Sequence, residues 1–332
     1  MTDSNALSIG IDAGTRISKA AYSDSHSRTT RIIARIEGFD VNALREESEM
    51  KLDDIVTSCV IAIPDEYTAR QYDELISTAS RSGFEDVDII SEYEAMNWEL
   101  NLGTEASALI CDFGASRVNF AVIGNDELVD TEVIPDFGGN ECDKIFASWL
   151  SERFILNLID EKLLRQRAEQ IKFTLSVSDF VTWRGVDILR EDFERLIYFP
   201  VKRITHHAKK FMRVYRPDKF ILAGGMSSVP LIRQLFTEEL NLSPEIHADI
   251  IAKGAALKAR EYSQESVNRG NHNHQEISQR LRELKAEIIE LEANLTRSQR
   301  DRLYLLFKQA EGINNSGIIE LMEGLINELK SA

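Results

Sequence analysis

The sequence IGIDAGT at residues 9–15 decides the fold, because a closely similar stretch, LICDFGAS, occurs at residues 109–116. Each copy is a short apolar strand that ends in Asp-x-Gly, and a second strand-like run follows each copy. A glycine at the tip of such a hairpin lets backbone N–H groups approach phosphate oxygens. The strand-end aspartates, Asp12 and Asp112, are suited to hold Mg²⁺ through its waters, since this ion keeps part of its hydration shell. The repeat therefore predicts an internally duplicated fold that grips one anionic ligand.

Strand-like and helical segments alternate along the chain on both sides of the repeat. The predicted strands cover residues 7–12, 17–22, 30–36, 57–63, 87–91, 107–112, 117–123, 127–134 and 219–223, with a strand pair near 178–189. The predicted helices cover residues 67–82, 92–102, 139–158, 160–175, 191–214 and 228–240. Alternation of this kind is typical of α/β proteins, so we expect two α/β lobes with mixed sheets.

The composition argues against several classes of protein. The net charge of −16 disfavours nucleic acid and anionic membranes as partners. No uninterrupted apolar run reaches ~18 residues, so no transmembrane helix is expected, and the polar N-terminus, MTDSN, argues against a signal peptide. The three cysteines, Cys59, Cys111 and Cys142, lie in or beside apolar runs. They predict reduced core residues of a cytoplasmic protein.

The composition changes after Tyr262, where a polar stretch at 263–274 predicts a linker. Beyond it, apolar residues recur at alternating spacings of four and three, which is the seam of a heptad repeat. They are Ile277, Leu281, Leu284, Ile288, Leu291 and Leu295. Further apolar segments at 303–307 and 318–329 predict two more helices. Residues 275–332 are therefore expected to form either a helical bundle or a coiled coil, which provides a surface for a protein partner or a homodimer.

A carboxylate follows the predicted strand at 87–91. Glu92 begins the sequence EYEA, directly after that strand and its Ser91. Open α/β sheets place ligand-binding residues at the carboxyl ends of their strands, where a carboxylate near phosphates is able to orient an attacking water. An acid at this position is also favoured simply by the dipole of the helix that it begins. The residues alone leave these two interpretations open.

Two further segments place glycine pairs before helices. Gly138 and Gly139 precede a predicted amphipathic helix, which fits either a phosphate at a helix N-terminus or a plain turn. Gly224 and Gly225 follow a predicted buried strand, in the sequence AGGMSSVP at residues 223–230. Glycines there leave no side chain in the way of a ribose or an adenine.

The order of these segments resembles the superfamily of actin, the sugar kinases and the heat-shock ATPases. From about residue 7 to about 262 the chain is most similar to the nucleotide-binding domain of DnaK-type heat-shock chaperones. The resemblance implies an α/β, two-lobed actin-like ATPase fold, of the duplicated ribonuclease-H-like kind, followed by a small helical region. Lobe I would comprise about 1–104 plus 248–262, and lobe II about 105–247. The resemblance also implies ATP or ADP as ligand, together with Mg²⁺.

The resemblance assigns roles residue by residue. Asp12 and Asp112 would hold hydrated Mg²⁺, Thr15 would contact a phosphate, and Glu92 would assist the hydrolytic water. Arg16 replaces a threonine of the family and would meet either a phosphate or a surface acid, whereas Phe173 replaces an adenine-stacking arginine and would still stack. The other positions that the resemblance assigns to the nucleotide site are Gly14, Gly114, Gly138, Gly139, Glu169, Lys172, Ser176, Gly224, Gly225, Ser227 and Asp249.

Departures from the family pattern predict weak catalysis. In the second loop, Ala115, Ser116 and Asn119 replace two glycines and an aspartate. Only 37 residues separate Tyr22 from Val60, where the family carries a peripheral subdomain with a catalytic lysine, and no lysine here is assigned that role. The family's β-rich substrate-binding domain has no counterpart in the chain.

We therefore expect an ATP-binding protein with weak or no hydrolysis, whose nucleotide-dependent lobe closure is signalled to a protein partner. Two alternatives are a nucleotide-free pseudo-ATPase scaffold and a filament protein like the bacterial actins.

Overall fold

The computed structural model describes residues 7–24, 27–64, 67–103, 106–155 and 160–268, together with the single helical residues Arg280, Leu284 and Ile326. The chain divides into two compact units, Met1–Asp65 with Ala79–Arg260, and Glu66–Thr78 with Glu261–Ala332. Apart from those three single residues, the predicted bundle or coiled coil at 275–332 lies outside the described residues.

The strands agree closely with the sequence prediction. They are β1 (Leu7–Asp12), β2 (Ile17–Ser23), β3 (Thr30–Glu37), β4 (Val56–Ile63), β5 (Asp86–Ser91), β6 (Ser107–Phe113), β7 (Val118–Gly124), β8 (Glu127–Ile134), β9 (Phe180–Trp183), β10 (Val186–Leu189), β11 (Lys219–Ala223) and β12 (Glu245–His247). The helices are α1 (Val41–Leu52), α2 (Ala69–Arg81), α3 (Glu92–Leu100), α4 (Gly139–Phe154), α5 (Glu161–Val177), α6 (Arg190–Tyr215), α7 (Pro230–Leu240) and α8 (Ile250–Asn268). A 3₁₀ turn, Gly225–Ser228, precedes α7.

Two five-stranded sheets share one topology. The first has the strand order β3-β2-β1-β4-β5 and the second the order β8-β7-β6-β11-β12. In each sheet an antiparallel meander of three strands is extended by two parallel strands next to its first strand. The sheets confirm the predicted α/β fold and the internal duplication that the repeated Asp-x-Gly indicates.

A shared core lies between the two sheets. It contains buried side chains from β4 and β5 of the first sheet, from β6, β7 and β11 of the second, and from α3 and α8. The small residues of α8 permit this packing, since a Cβ built at Gly254 would lie 1.7 Å from the carbonyl oxygen of Ala95 in α3. The close approach places Asp249, which directly precedes α8, beside the first sheet.

A second core fills the other face of the second sheet. Its largest buried side chains are aromatic, and α4, α6 and α7 supply much of its surface against β6, β7 and β11. Phe113, Phe120, Phe146, Phe193, Phe220 and Phe236 are all fully buried there. This packing fixes α4 and α5 relative to β6, and so it positions the residues of these helices that the sequence analysis singled out.

Three elements differ from the sequence prediction. Helix α1 was not predicted, because only Val41, Leu44 and Ser48 of its mostly polar sequence are buried; Asp40 caps its first turn by accepting from two backbone N–H groups. Strand β12 was not predicted, because its three residues are too few to show an alternating apolar pattern. Helix α8 extends to Asn268, six residues into the predicted linker, since no glycine or proline occurs before Gly270. No helix in the described part of the chain has the length and apolar character needed to span a bilayer.

Candidate functional site

The two aspartates of the repeat occupy equivalent places in the two sheets. Asp12 ends β1 and pairs in register with Ala62 of the neighbouring parallel strand, and Asp112 near the end of β6 pairs with Ala223 in the same way. Burial, together with the negative charge of Asp12, raises the pKa of Asp112 to about 6. Burial also raises the pKa of Asp12. The charge of Asp12 thus disfavours the ionised form of Asp112, and a bound cation would relieve this repulsion.

The residues opposite these aspartates differ in charge. In the first hairpin Lys19 is the cross-strand partner of Asp12, and in the second hairpin Asn119 is the partner of Asp112. Such pairs share one face of the sheet. The Lys19 Nζ lies 3.8 Å from Asp12 Oδ2. Asn119 is 4% exposed, and its Oδ1 has no hydrogen-bond partner among the described residues.

Lys19 was not predicted as a residue of the site. A signal for it was present, because a hairpin that pairs residue 12 with residue 19 follows from the short turn between the two predicted strands. The Lys19 ammonium also lies 3.3 Å from Asp249 Oδ1 and donates to the Ala248 carbonyl oxygen at 3.3 Å. The Arg35 guanidinium donates to Asp249 Oδ2 at 2.8 Å. Burial alone would raise the pKa of Asp249, but the hydrogen bond from Arg35 and the charge of Lys19 lower it.

Arg16 meets an acid on the second half of the molecule. From the β1–β2 turn, its Nε donates to Glu169 Oε1 of α5 at 3.0 Å, and its terminal nitrogen Nη2 donates to Glu169 Oε2. Of the two interpretations that the sequence left for Arg16, a phosphate contact or an acid contact, the structure contains the contact with an acid. Glu169, which the resemblance assigns to the nucleoside, is engaged in the same pair. Thr15, beside Arg16 in the turn, is exposed.

Lys172 is buried rather than free. Its Nζ lies 2.7 Å from Asp143 Oδ1 of α4, and both side chains are almost inaccessible. Burial raises the pKa of Asp143, and the charge of Lys172 opposes that rise. Ser176 donates its hydroxyl to the Lys172 carbonyl oxygen at 3.0 Å. Phe173 differs from its neighbours because it is 46% exposed, so its ring is available for stacking.

The loop after β6 is held by the start of α4. The N–H of Gly139 donates to the Gly114 carbonyl oxygen at 3.0 Å, and the N–H of Asn140 donates to Ala115 at 2.7 Å. A Cβ at Gly138 would lie 2.6 Å from the Ala115 carbonyl oxygen, so glycine is required for this contact. In the first loop the Gly14 carbonyl accepts from the Ser18 hydroxyl at 3.2 Å. The glycine pair before α4 therefore supports the second loop through hydrogen bonds within the chain.

The glycines after β11 approach Asp112. Gly224 has a φ of 78°, and a Cβ there would lie 2.5 Å from Asp112 Oδ1. Ser227 is buried and donates to the Gly224 carbonyl oxygen at 2.7 Å, which stabilises the turn. At Gly225 an added Cβ would meet nothing within 4 Å. Gly225 therefore borders open space next to the loop that contacts Asp112.

Glu92 begins α3 and lies near a cation from the second hairpin. Its Oε2 is 3.7 Å from the Arg117 Nη2, and its side chain is 12% exposed. Ser91 caps the helix by accepting from the Glu94 N–H at 3.1 Å. Glu92 therefore fits the interpretation as an acid at a helix N-terminus, and it also lies close to the second loop.

The predicted acidic residues of the site are largely neutralised by the chain itself. Asp12, Glu92, Glu169 and Asp249 each have a basic partner within 4 Å. Among the described residues Asp112 has no such partner, and it remains the one carboxylate of the predicted set without an ion pair. No group of three or more His, Cys, Asp or Glu side chains in the described ranges is arranged to hold a metal ion.

The cysteines are buried free thiols. Burial raises the pKa of Cys142 to about 12 and raises the pKa values of Cys59 and Cys111 as well. A protonated thiol is a poor nucleophile, so these residues belong to the core, as predicted.

The duplicated sheets, each with an aspartate at its first hairpin, define a protein of the two-lobed, actin-like ATPase fold. The family model described as Hsp70 protein matches residues 11–278. Because this match covers most of the chain, the chain belongs to the Hsp70 family, which confirms the resemblance inferred from the sequence.

The curated relatives are chaperones of low sequence identity. Chaperone protein HscA of Proteus mirabilis is 24% identical over 242 residues, which is 66% of this chain and 39% of the relative. The chaperone protein HscA homolog of Rickettsia bellii is 23% identical over 270 residues, 78% of this chain and 44% of the relative. HscA of Xenorhabdus nematophila is 26% identical over 241 residues, 66% of this chain and 39% of the relative. The chain thus spans 39% to 44% of the length of these relatives.

Proposed function

We propose that this member of the Hsp70 family binds ATP or ADP with Mg²⁺ between Asp12 and Asp112 and hydrolyses ATP slowly or not at all. One observation carries the proposal: Asp12 and Asp112 lie at equivalent places near the ends of two strands, and the charge of Asp12 raises the pKa of Asp112, an effect that is relieved when a cation binds. Family membership supports the same ligand.

The residues around Asp112 fit the metal ion. Asp112 has no basic partner within the described residues, and the unpartnered Oδ1 of Asn119 lies across the hairpin from it. Carboxylate and amide oxygens, directly or through waters, are the ligands that Mg²⁺ prefers. When bound, the ion would neutralise phosphate charge.

The nucleoside would lie against α5 and the glycine turn. Phe173 is exposed and offers a ring face for stacking, and Gly225 borders open space. The Arg16 guanidinium is a rigid fork that matches a phosphate as well as it matches the Glu169 carboxylate. We propose that Arg16 exchanges this carboxylate for a phosphate when the nucleotide binds.

Slow hydrolysis follows from the charges around the reacting phosphate. Glu92, the candidate for orienting water, is only 3.7 Å from the Arg117 guanidinium, which holds its carboxylate in an ion pair. Asn119 supplies no charge where the family has an aspartate. The ion pair of Glu92 and the missing charge at Asn119 each weaken the electrostatic positioning that provides most of the catalysis in phosphoryl transfer.

We further propose that the bound state is signalled along α8 to a protein partner in the cytoplasm. Asp249, whose carboxylate contacts Lys19 in the site, directly precedes α8. Helix α8 continues to Asn268, toward the residues predicted to form the C-terminal helices. The curated relatives are chaperones, which supports a protein rather than a small molecule as the partner. A homodimer formed by these helices is the alternative.

Calorimetry with ATP, ADP and a non-hydrolysable analogue in the presence of Mg²⁺ tests nucleotide binding. Gly225→Val is the decisive variant, because a Cβ at this position meets no atom of the chain within 4 Å and its side chain would project into the space proposed for the nucleoside. We expect the variant to lose binding while its unfolding midpoint stays unchanged. Gly124→Ala, whose Cβ would make only ordinary contacts at 3.4 Å, is the control and should bind like wild type. Unchanged binding by Gly225→Val would place the nucleotide elsewhere.

A nucleotide-free scaffold is the second candidate, and the internal ion pairs favour it. Four predicted site carboxylates already have basic partners, so a polyphosphate must compete for Arg16 and Lys19. Wild-type protein that shows no heat of binding and no thermal shift with millimolar ATP and Mg²⁺ would establish this candidate instead.

A further inference from the structure

Helix α6 concentrates positive charge in an acidic chain. Between Arg195 and Arg216 the sequence contains seven Lys and Arg residues and no Asp or Glu. The chain as a whole has a net charge of −16, so this segment reverses the sign of the charge locally. Neither the proposed nucleotide site nor the proposed signalling along α8 uses these residues.

One row of exposed side chains runs along the outer side of α6. Phe199, Arg203, His206, Lys210 and Arg213 follow one another at alternating spacings of four and three, which places them on one side of an α-helix. All five are exposed. The opposite side of the helix is buried in the second core. We call these five residues the α6 stripe.

Nearby acids neutralise the sides of α6 but only one member of the stripe. Lys202 and Lys209 share Glu239 of α7, with the Lys202 Nζ 3.5 Å from Glu239 Oε1. The Lys210 Nζ lies 3.5 Å from Glu132 Oε2 of β8. Among the described residues, neither arginine of the stripe has an acid within ion-pair distance. The stripe therefore retains positive charge that ion pairs within the described chain do not neutralise.

The stripe combines arginine with an exposed aromatic ring, as protein interfaces do. Phe199 is 75% exposed, and the Tyr198 ring meets it edge-on with the ring centroids 5.3 Å apart. Aromatic residues and Arg are enriched in protein interfaces, whereas Lys and Glu are depleted there. Covering the Phe199 ring would remove apolar surface from water, while the neighbouring guanidinium groups bind carboxylates. The stripe thus offers a partner both apolar contact and oriented donors.

The spacing and the charge of the stripe together define the partner. A second α-helix presents side chains at the same intervals of three and four, so an acidic helix is able to align its carboxylates with the stripe. The row from Phe199 to Arg213 is about 21 Å long. A nucleic acid or an anionic bilayer extends far beyond this length and would also meet the negative charge of the remaining surface.

We propose that the α6 stripe docks an acidic α-helix of a partner protein. Asp or Glu side chains at spacings of four and three would pair with Arg203, Lys210 and Arg213, and an apolar side chain among them would cover Phe199. Exposed ion pairs are individually weak, so the affinity depends on several of them acting together. The inference is independent of the proposed nucleotide binding, since no member of the stripe belongs to that site.

Fluorescence anisotropy of a labelled synthetic peptide at low salt tests the proposal with the full chain. The probe is an alanine-rich helix with glutamates at spacings of four and three and one leucine among them. A second peptide has the same composition, but its glutamates are spread around the helix. We expect wild type to bind the first peptide at least about tenfold more tightly, because only that peptide presents all its carboxylates to the stripe.

Variants of the stripe locate the binding on α6. The combined charge reversal Arg203→Glu, Lys210→Glu and Arg213→Glu should weaken binding of the first peptide at least about 100-fold, because attraction becomes repulsion. Phe199→Ala should weaken the binding on the order of three- to tenfold, since apolar contact is lost. If the triple variant does not fold, the double variant Arg203→Ala, Arg213→Ala decides, with an expected loss of about tenfold.

The matched control carries Lys144→Glu, Lys162→Glu and Arg167→Glu, which lie on α4 and α5. It changes the net charge by the same amount and should bind the first peptide within about twofold of wild type. Equal losses in the two triple variants overturn the inference, because net charge then explains the binding.

Three results for wild type also overturn the inference. They are no binding of either peptide up to about 1 mM, equal binding of both peptides, and tighter binding of a DNA duplex than of the first peptide. Calorimetry with ADP and Mg²⁺ on the same proteins tests the nucleotide site separately, so the failure of one proposal is distinguished from the failure of the other.

Discussion

Arg16 and Glu169, 153 residues apart in sequence, form a two-point ion pair that joins the β1–β2 turn to α5. The pair connects the β1–β2 turn of the first sheet to a helix that packs on the second sheet. Planar guanidinium and carboxylate groups held at two points are oriented more tightly than a single-contact pair.

A double-mutant cycle on Arg16→Ala and Glu169→Ala should give a coupling free energy of unfolding of about 1 kcal/mol, because the pair is bidentate but Arg16 is 37% exposed. Urea unfolding measures it. The control cycle uses Arg165 and Glu161, an exposed pair within α5, for which about 0.3 kcal/mol is expected. Equal coupling free energies in the two cycles would show that the Arg16–Glu169 pair stabilises the protein no more than an ordinary exposed ion pair.

Asp112→Asn should stabilise the ligand-free protein in alkaline solution. The folded-state pKa of Asp112, about 6, is above the ordinary value of 3.8, so the folded form binds more protons than the unfolded form between these values. The destabilisation by wild-type Asp112 therefore grows as the pH rises from about 4 to about 6 and is constant above. At pH 8 the variant should gain about 1–3 kcal/mol in the free energy of unfolding, measured in a chelator.

Asp218→Asn is the control of opposite sign. Hydrogen bonds from the Ser107 N–H and hydroxyl lower the pKa of Asp218. The stability that its carboxylate contributes is present above the ordinary pKa and is lost as the pH falls through the lowered value. This variant should therefore be destabilised at pH 8 and should approach wild type in acid. If both variants gain free energy of unfolding at pH 8, the gain of Asp112→Asn comes from the lower net charge of the protein and not from the surroundings of Asp112.

Lys172→Met should destabilise the protein by about 3–5 kcal/mol, because it leaves the Asp143 carboxylate buried without its partner. Burial already raises the pKa of Asp143, so the loss should be smaller at pH 5 than at pH 8, where the stranded group must stay ionised. Urea unfolding at the two pH values measures this. The double variant Lys172→Met, Asp143→Asn should recover much of the lost free energy of unfolding at pH 8. If the losses of the two single variants simply add in the double variant, the buried ion pair is contradicted.

Gly254→Ala should destabilise the protein by about 3 kcal/mol or more, although alanine is the better helix former by about 1 kcal/mol. The added Cβ would overlap the Ala95 carbonyl oxygen and push α8 away from α3. Thermal unfolding measures the effect. Gly139→Ala, where the nearest atom lies at 3.4 Å, should change the midpoint little. A stabilised Gly254→Ala would mean that α8 does not pack closely on α3.

Much of the fold follows from local sequence. Strand positions were predictable because alternating and continuous apolar runs mark half-buried and buried strands, and the repeated Asp-x-Gly showed the duplication. Helix α1 was not predictable, since its few buried residues give almost no periodic signal and its Asp40 cap is the only clear mark. The candidate glycine turns were found for the same local reason.

The sequence by itself determined that two aspartates, Asp12 and Asp112, end equivalent strands, because that information lies in short contiguous segments. Only the tertiary structure decided what surrounds them. The pairing of Arg16 with Glu169 and of Asp249 with both Lys19 and Arg35 joins residues far apart in the chain. Such contacts depend on how α5 and α8 pack on the sheets, and burial then sets the pKa values. No spacing within one segment encodes either effect.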